Sequence, residues 1–158
     1  MENNKLSPEQ EIHYQRNILL RGVGVEGQIK LLRSSVLIVG AGGLGSPAAY
    51  YLAASGIGRL GLVDADVVSL SNLQRQILHD TSVIGKLKVE SARAKLTALN
   101  PGIKIETSSE YLNSTNASSL INQYDLVVDC TDNFTSRFII NKTCLQLRKP
   151  FIFGGVLA

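Results

Sequence analysis

From Ser34 to Gly58 the chain runs for 25 residues without a charged side chain. That length would span a bilayer as a helix, but the run changes character midway. Val36-Leu37-Ile38-Val39 is β-branched and strand-like, whereas Ala48 to Ser55 is rich in helix formers. Six of the fourteen glycines, together with Pro47, interrupt it. Strand, glycine turn and helix account for all three parts, so the segment opens a βα unit and no membrane span is expected.

The alternation continues on both sides. Ser7, Pro8 and Gln10 form a helix start with a capping box, predicting a helix to about Leu20 and a second over about Glu26 to Leu32. Strands are expected over Ser35–Gly40, Leu60–Val63, Ile103–Thr107, Leu126–Cys130 and Phe151–Phe153. Helices are expected over about Leu44–Ser55, Lys86–Leu99 and Asn133–Leu147, with a weakly helical segment at Thr115–Gln123. Val89, Ala92, Leu96 and Leu99 give the Lys86–Leu99 segment its apolar face. The pattern predicts an α/β fold: a Rossmann-like, doubly wound, mostly parallel sheet with an N-terminal helical extension.

Composition narrows the class. The 158 residues, 44% hydrophobic, suit one well-filled core rather than a disordered chain. A net charge of +3 is too small for a nucleic-acid-binding surface to be the expectation. Two cysteines make neither a disulfide framework nor a zinc quartet, which points to a reducing cytoplasm. Met1 to Lys5 lacks the apolar core of a signal peptide, and the stop at Ala158, just past the fifth strand, leads us to expect a piece of a larger protein.

Gly40-Ala41-Gly42-Gly43-Leu44-Gly45 satisfies G-x-G-x-x-G between a predicted strand and a predicted helix. Glycine there allows a tight turn, backbone approach to phosphate and close helix packing, and the helix N-terminus adds partial positive charge. Asp64, at the end of the second strand, is placed to accept from ribose hydroxyls. To this point NAD and ATP fit equally. Three further sites favour a triphosphate. Ser71-Asn72-Leu73-Gln74-Arg75-Gln76 offers amide donors and a guanidinium. Lys88, with Lys86, sits in the expected first turn of a helix, where a cation opposes the dipole unless an anion binds. Asp129-Cys130-Thr131-Asp132-Asn133 ends the fourth strand. There Asp132 can hold Mg²⁺, and Asp132 or Asn133 can cap the next helix.

The ordered set of segments resembles the ThiF/MoeB/HesA sulfur-carrier-protein adenylyltransferases, within the ubiquitin-activating enzyme superfamily. It comprises Tyr14-Gln15-Arg16-Asn17-Ile18-Leu19-Leu20, the glycine loop, Ser69 to Gln76, Lys88-Val89-Glu90-Ser91-Ala92 and Asp129 to Asn133. The resemblance implies ATP-dependent adenylation of the C-terminal glycine of a small ubiquitin-like carrier ending in Gly-Gly, with thiamine, molybdopterin or another sulfur route left open. It implies an N-terminal extension over 1–33 and an ATP-binding domain over 34–158. It implies Gly43 at the nucleotide, Asp64 at the ribose, and Asn72, Arg75 and Lys88 at the phosphates, beside the candidate nucleotide-binding residues Gly40, Gly42 and Gly45 of the glycine loop and Asn133. Asp132 would hold Mg²⁺, and Arg16 would reach the triphosphate from the other subunit of a homodimer, making Arg16, Arg75 and Asp132 the catalytic group.

In the family, paired Cys-x-x-Cys ligands for structural Zn²⁺ lie beyond the segment read here, so any zinc would need residues past 158. Cys130 and Cys144 read as core thiols, and His13 and His79 as surface or capping groups without chemistry. The rival readings are an NAD-dependent oxidoreductase, a relative acting on tRNA-bound threonylcarbamoyladenosine through the same ATP site, and a non-catalytic partner subunit.

Overall fold

A computed structural model describes residues 5–155 of the chain. The expectations about the first four residues and about the stop at Ala158 lie outside the described residues. Five strands, β1 (Ser35–Val39), β2 (Arg59–Val63), β3 (Lys104–Ser108), β4 (Leu126–Asp129) and β5 (Phe151–Phe153), form one sheet in the order β3-β2-β1-β4-β5. Every pairing is parallel, so the expected mostly parallel sheet is wholly parallel. β1 is central, and the direction of winding reverses between it and β4.

Alternation along β1 builds two cores. Val36 and Ile38 face one side and pack with Ala49, Ala53, Val89 and Leu96. Leu37 and Val39 face the other and pack with Ile121, Val127, Ile140 and Cys144. Strands with side chains turned both ways into apolar layers need helices on both faces. α4 (Gly45–Ser55) and α5 (Lys88–Leu99) supply one layer, and α6 (Ala117–Ile121) and α7 (Phe134–Leu147) the other. Among the described residues no helix is long and apolar enough to cross a membrane. The charge-free run divides into β1, the glycine loop and α4, as its composition requires.

The N-terminal helices depart from expectation. The single helix expected to about Leu20 is broken at Tyr14 into α1 (Pro8–His13) and α2 (Gln15–Ile18), followed by α3 (Gly24–Arg33). The capping box is present, with Ser7 and Gln10 bonded reciprocally. Tyr14 interrupts the helix because it is drawn inward. It is buried, and its hydroxyl accepts from the Asn100 amide at 2.9 Å. Its ring lies where any side chain at Gly56 (φ +84°) would stand, so that position excludes a Cβ twice over. The Gln28 amide, wholly buried, donates to the Ser55 carbonyl at 2.9 Å, and Asn17 reaches the same oxygen at 3.3 Å. The end of α4 thus finds partners for a carbonyl its own turns leave open.

Candidate nucleotide site

The carboxyl ends of β1, β2 and β4 frame a cavity of about 600 Å³. This is the point where strand order reverses, and open α/β sheets bind ligands at such points. Gly40 leaves β1 at φ +97°, and a Cβ there would come within 2.8 Å of the Cys130 carbonyl oxygen. A Cβ on Gly45 would stand 1.8 Å from the Gly40 carbonyl oxygen. The outer glycines therefore allow the turn and the seating of α4. Gly42 and Gly43 line the cavity, as Gly40 does, and Gly45 does not.

The loop is tied from outside. The Ala41 amide donates to Asp64 Oδ2 at 2.7 Å, and the Asp66 amide donates to Asp64 Oδ1 at 2.8 Å. Asp64 thus fastens β2 to the glycine loop while remaining at the cavity wall. Arg75 lies over Gly43, its side chain about 3.5 Å from where a Cβ would be, and Gln76 faces Gly42 in the same way. Asn72 does not line the cavity. Its carbonyl accepts from the Arg75 and Gln76 amides and turns those two residues toward it.

Lys88 lines the cavity, but Lys86 does not, and α5 begins at Lys88 rather than at Lys86. Lys86 is exposed in the bend before α5, next to Leu87, which forms an isolated antiparallel bridge with Val67. The Lys88 side chain is only 6% exposed, and its ammonium donates to Asp66 Oδ2 at 2.8 Å. A cation so far from water needs that partner. Tyr111 donates its hydroxyl to Asp66 Oδ1 at 2.8 Å. The bonds from Lys88 and Tyr111 hold the Asp66 carboxyl below the ordinary carboxylate range. Asp66, Tyr111 and Arg137 all line the site, and the sequence reading passed over them. The signal for Asp66 was its place two residues beyond Asp64 at a strand end. Arg137 lies one turn into α7 and had no such signal. Its guanidinium donates to the Thr131 carbonyl at 2.8 Å and stacks 4.4 Å over Phe153.

At the end of β4 the two candidate roles separate. Asn133 caps α7, accepting from the Ser136 amide at 2.9 Å. Asp132 is exposed and lines the cavity, and no described residue bonds its carboxylate. Among the described residues there is no cluster of three or more His, Cys, Asp or Glu that suits a metal. Asp132 thus stands as a single carboxylate at the cavity, the kind of group that can share Mg²⁺ with phosphate oxygens. Arg16, on α2, is exposed and does not line the cavity of its own chain.

Two expectations need correction. His79 is not a surface group. It is buried under the glycine loop, because the loop after β2 folds back against α5. His13 is exposed, as expected. Cys144 is a core thiol, but Cys130 is half-buried and borders the cavity, because it follows β4 where the sheet opens. Burial, and then the Asp129 charge, push the Cys130 thiol up to about 11, and burial raises Cys144 as well. Neither is a thiolate at neutral pH.

The ThiF family profile matches residues 14–158. The chain belongs to the ThiF family. Curated relatives are similar over nearly all of this ThiF-family chain. The "Adenylyltransferase and sulfurtransferase MOCS3" of Anopheles gambiae is 50% identical over 97% of the chain and 35% of its own length. The protein of that name from Arabidopsis thaliana is 50% identical over 96% of the chain and 33% of its own length. The chain thus spans about a third of the curated relatives it matches. Among solved structures, the E. coli tRNA N6-threonylcarbamoyladenosine dehydratase superposes with a TM-score of 0.87 at 25% identity. That match covers 96% of this chain and 65% of the E. coli one.

Proposed function

We propose that this ThiF-family chain carries an adenylation site. Mg·ATP would activate the C-terminal glycine carboxylate of a small ubiquitin-like sulfur-carrier protein. The observation that supports it most is the gathering of Arg75, Lys88 and Asp132 around Gly42 and Gly43 in one cavity. Relatives that are half identical and named as adenylyltransferases point the same way.

The chemistry asks little covalent help of the protein. A carboxylate oxygen of the carrier attacks the α-phosphorus of ATP, forming an acyl–phosphate bond. The bond from that phosphorus to the bridging oxygen breaks, and pyrophosphate leaves with the electron pair. The attacking group is already ionised, so no general base is needed, and catalysis reduces to positioning and charge stabilisation. Asp64 would receive the ribose, and the glycine loop with Gly40, Gly42 and Gly43 would pass the phosphates close to the backbone. Arg75 and Lys88 would offset the charge developing on the leaving oxygen. Asn72 would act through the turn it holds, and Asn133 through the cap of α7. Mg²⁺, held by Asp132 and phosphate oxygens, would further neutralise the leaving group. Arg16 would complete the site from the partner of a homodimer.

Two measurements test this reading. Calorimetric titration should give tighter binding of Mg·ATP than of NAD, and the reverse order would exclude adenylation in favour of hydride transfer. ATP–pyrophosphate exchange should then depend on a Gly-Gly-ended carrier. Exchange that ignores the carrier but responds to threonylcarbamoyladenosine-bearing tRNA would move the chain to the dehydratase reaction.

A further inference from the structure

Three segments supply the proposed phosphate contacts: the glycine loop, the loop carrying Arg75, and the start of α5 carrying Lys88. One residue, His79, joins all three. His79 ends the Arg75 loop, and its backbone amide donates to the Gln76 carbonyl at 3.0 Å. Nε2 lies 3.1 Å from the Ala41 carbonyl oxygen, and Nδ1 lies 3.0 Å from Ser91 Oγ, one turn along α5 from Lys88. A carbonyl only accepts, so Nε2 carries a proton, and in the neutral ring that burial favours Nδ1 accepts from the Ser91 hydroxyl. His79 is 5% exposed, and both ring bonds are buried. The Ala41 peptide is thereby held at both ends, with its amide on Asp64 and its carbonyl on His79.

We infer that His79 is a positioning residue for nucleotide binding: a neutral imidazole that sets the spacing between the glycine loop, Arg75 and Lys88. It makes no contact with nucleotide itself. The inference rests on the reading of the cavity as a nucleotide site. Its physical content is separable, because the fastening exists without ligand. Phosphate groups are fixed in size, so cations and backbone amides that drift relative to one another bind a triphosphate less well even when each is present.

The test compares His79→Leu, which removes both ring bonds, with His79→Gln, whose amide can still donate to the Ala41 carbonyl. A third variant, Ser91→Ala, releases only the α5 side. Backbone amide exchange without nucleotide should speed up in His79→Leu at residues 41–46 and 75–76, and should return toward wild type in His79→Gln. Mg·ATP affinity, measured on folded protein, should fall up to about tenfold in His79→Leu, the scale of one lost hydrogen bond, since the Ala41 carbonyl keeps only the longer bond from the Ser46 hydroxyl at 3.4 Å. It should fall less in His79→Gln, and Ser91→Ala should show exchange changes confined to the contact with α5. If His79→Leu does not fold, the Gln and Ala variants decide by the same two readings. Unchanged loop exchange together with wild-type affinity would overturn the proposal, as would a loss of melting temperature with neither of the other effects. Wild-type protein that fails to bind Mg·ATP would count against the nucleotide reading alone, and the exchange data would still decide whether His79 fastens the loops.

Discussion

A buried imidazole makes stability depend on pH. Desolvation lowers the basicity of His79, aided by the charges of Lys88 and Lys95 and opposed by the Ala41 carbonyl and Asp64. Its pKa in the folded chain therefore lies below the ordinary 6.5 of the unfolded one. The folded state is fully favoured above 6.5 and loses stability as pH falls through that value toward the lowered one. Urea unfolding from pH ~8 to pH ~5 should show this decline, and His79→Gln should remove part of it. A slope identical in the variant would mean that other groups carry it. Asp132 gives a second residue-scale prediction. Its carboxylate has no partner among the described residues, so Asp132→Asn should leave the melting temperature in place. If the carboxylate holds Mg²⁺, the same variant should lose adenylate formation, read as pyrophosphate exchange. Retained exchange would remove Asp132 from the site.

At the level of elements, α7 depends on the residue next door. Asn133→Ala leaves the Ser136 amide without its acceptor, which should cost about 1 kcal/mol in denaturant unfolding. A loss below a few tenths would show that water replaces the cap. That one of two adjacent residues caps and the other stays open could not be read from Asp132-Asn133 alone, since both types cap well. The regular elements were legible because their signals are local: the β-branched run of β1, the glycines before α4, the Val89–Leu96 stripe of α5. Asp64, Asp132 and the glycine loop, which all reach the cavity, were legible for the same reason. The connection from Asp64 to Ile84 was not, because its order comes from tertiary bonds. Asp66 acquires meaning only when Lys88 is folded onto it, and His79 only when Ala41 and Ser91 arrive from either side. The break at Tyr14 belongs to the same class, set by Asn100 and Gly56 far along the chain.

For the whole molecule, Arg16 asks whether one chain is enough, since it is exposed and away from its own cavity. If it acts across a two-fold interface, Arg16→Ala and Asp132→Ala proteins should each be nearly inactive. Refolded together they should recover roughly a quarter of wild-type activity, because half the dimers are mixed and each mixed dimer has one intact site. Mixed dimers confirmed by mass without recovered exchange would place Arg16 outside the reaction. The sheet order has a consequence of another kind, in time rather than in space. β1 pairs with β2, the next strand, but its other neighbour is latched to it by Asp125, which accepts from the Ser35 amide and hydroxyl across 90 residues of sequence. Closing the longer loop costs about 1 kcal/mol more entropy, so the β1–β2 half should assemble first and the β4 half should zip on afterwards. In stopped-flow chevrons, truncating Leu60 should slow folding, whereas truncating Val127 should chiefly hasten unfolding. Equal effects on both limbs would mean that the two halves of this sheet form in a single step.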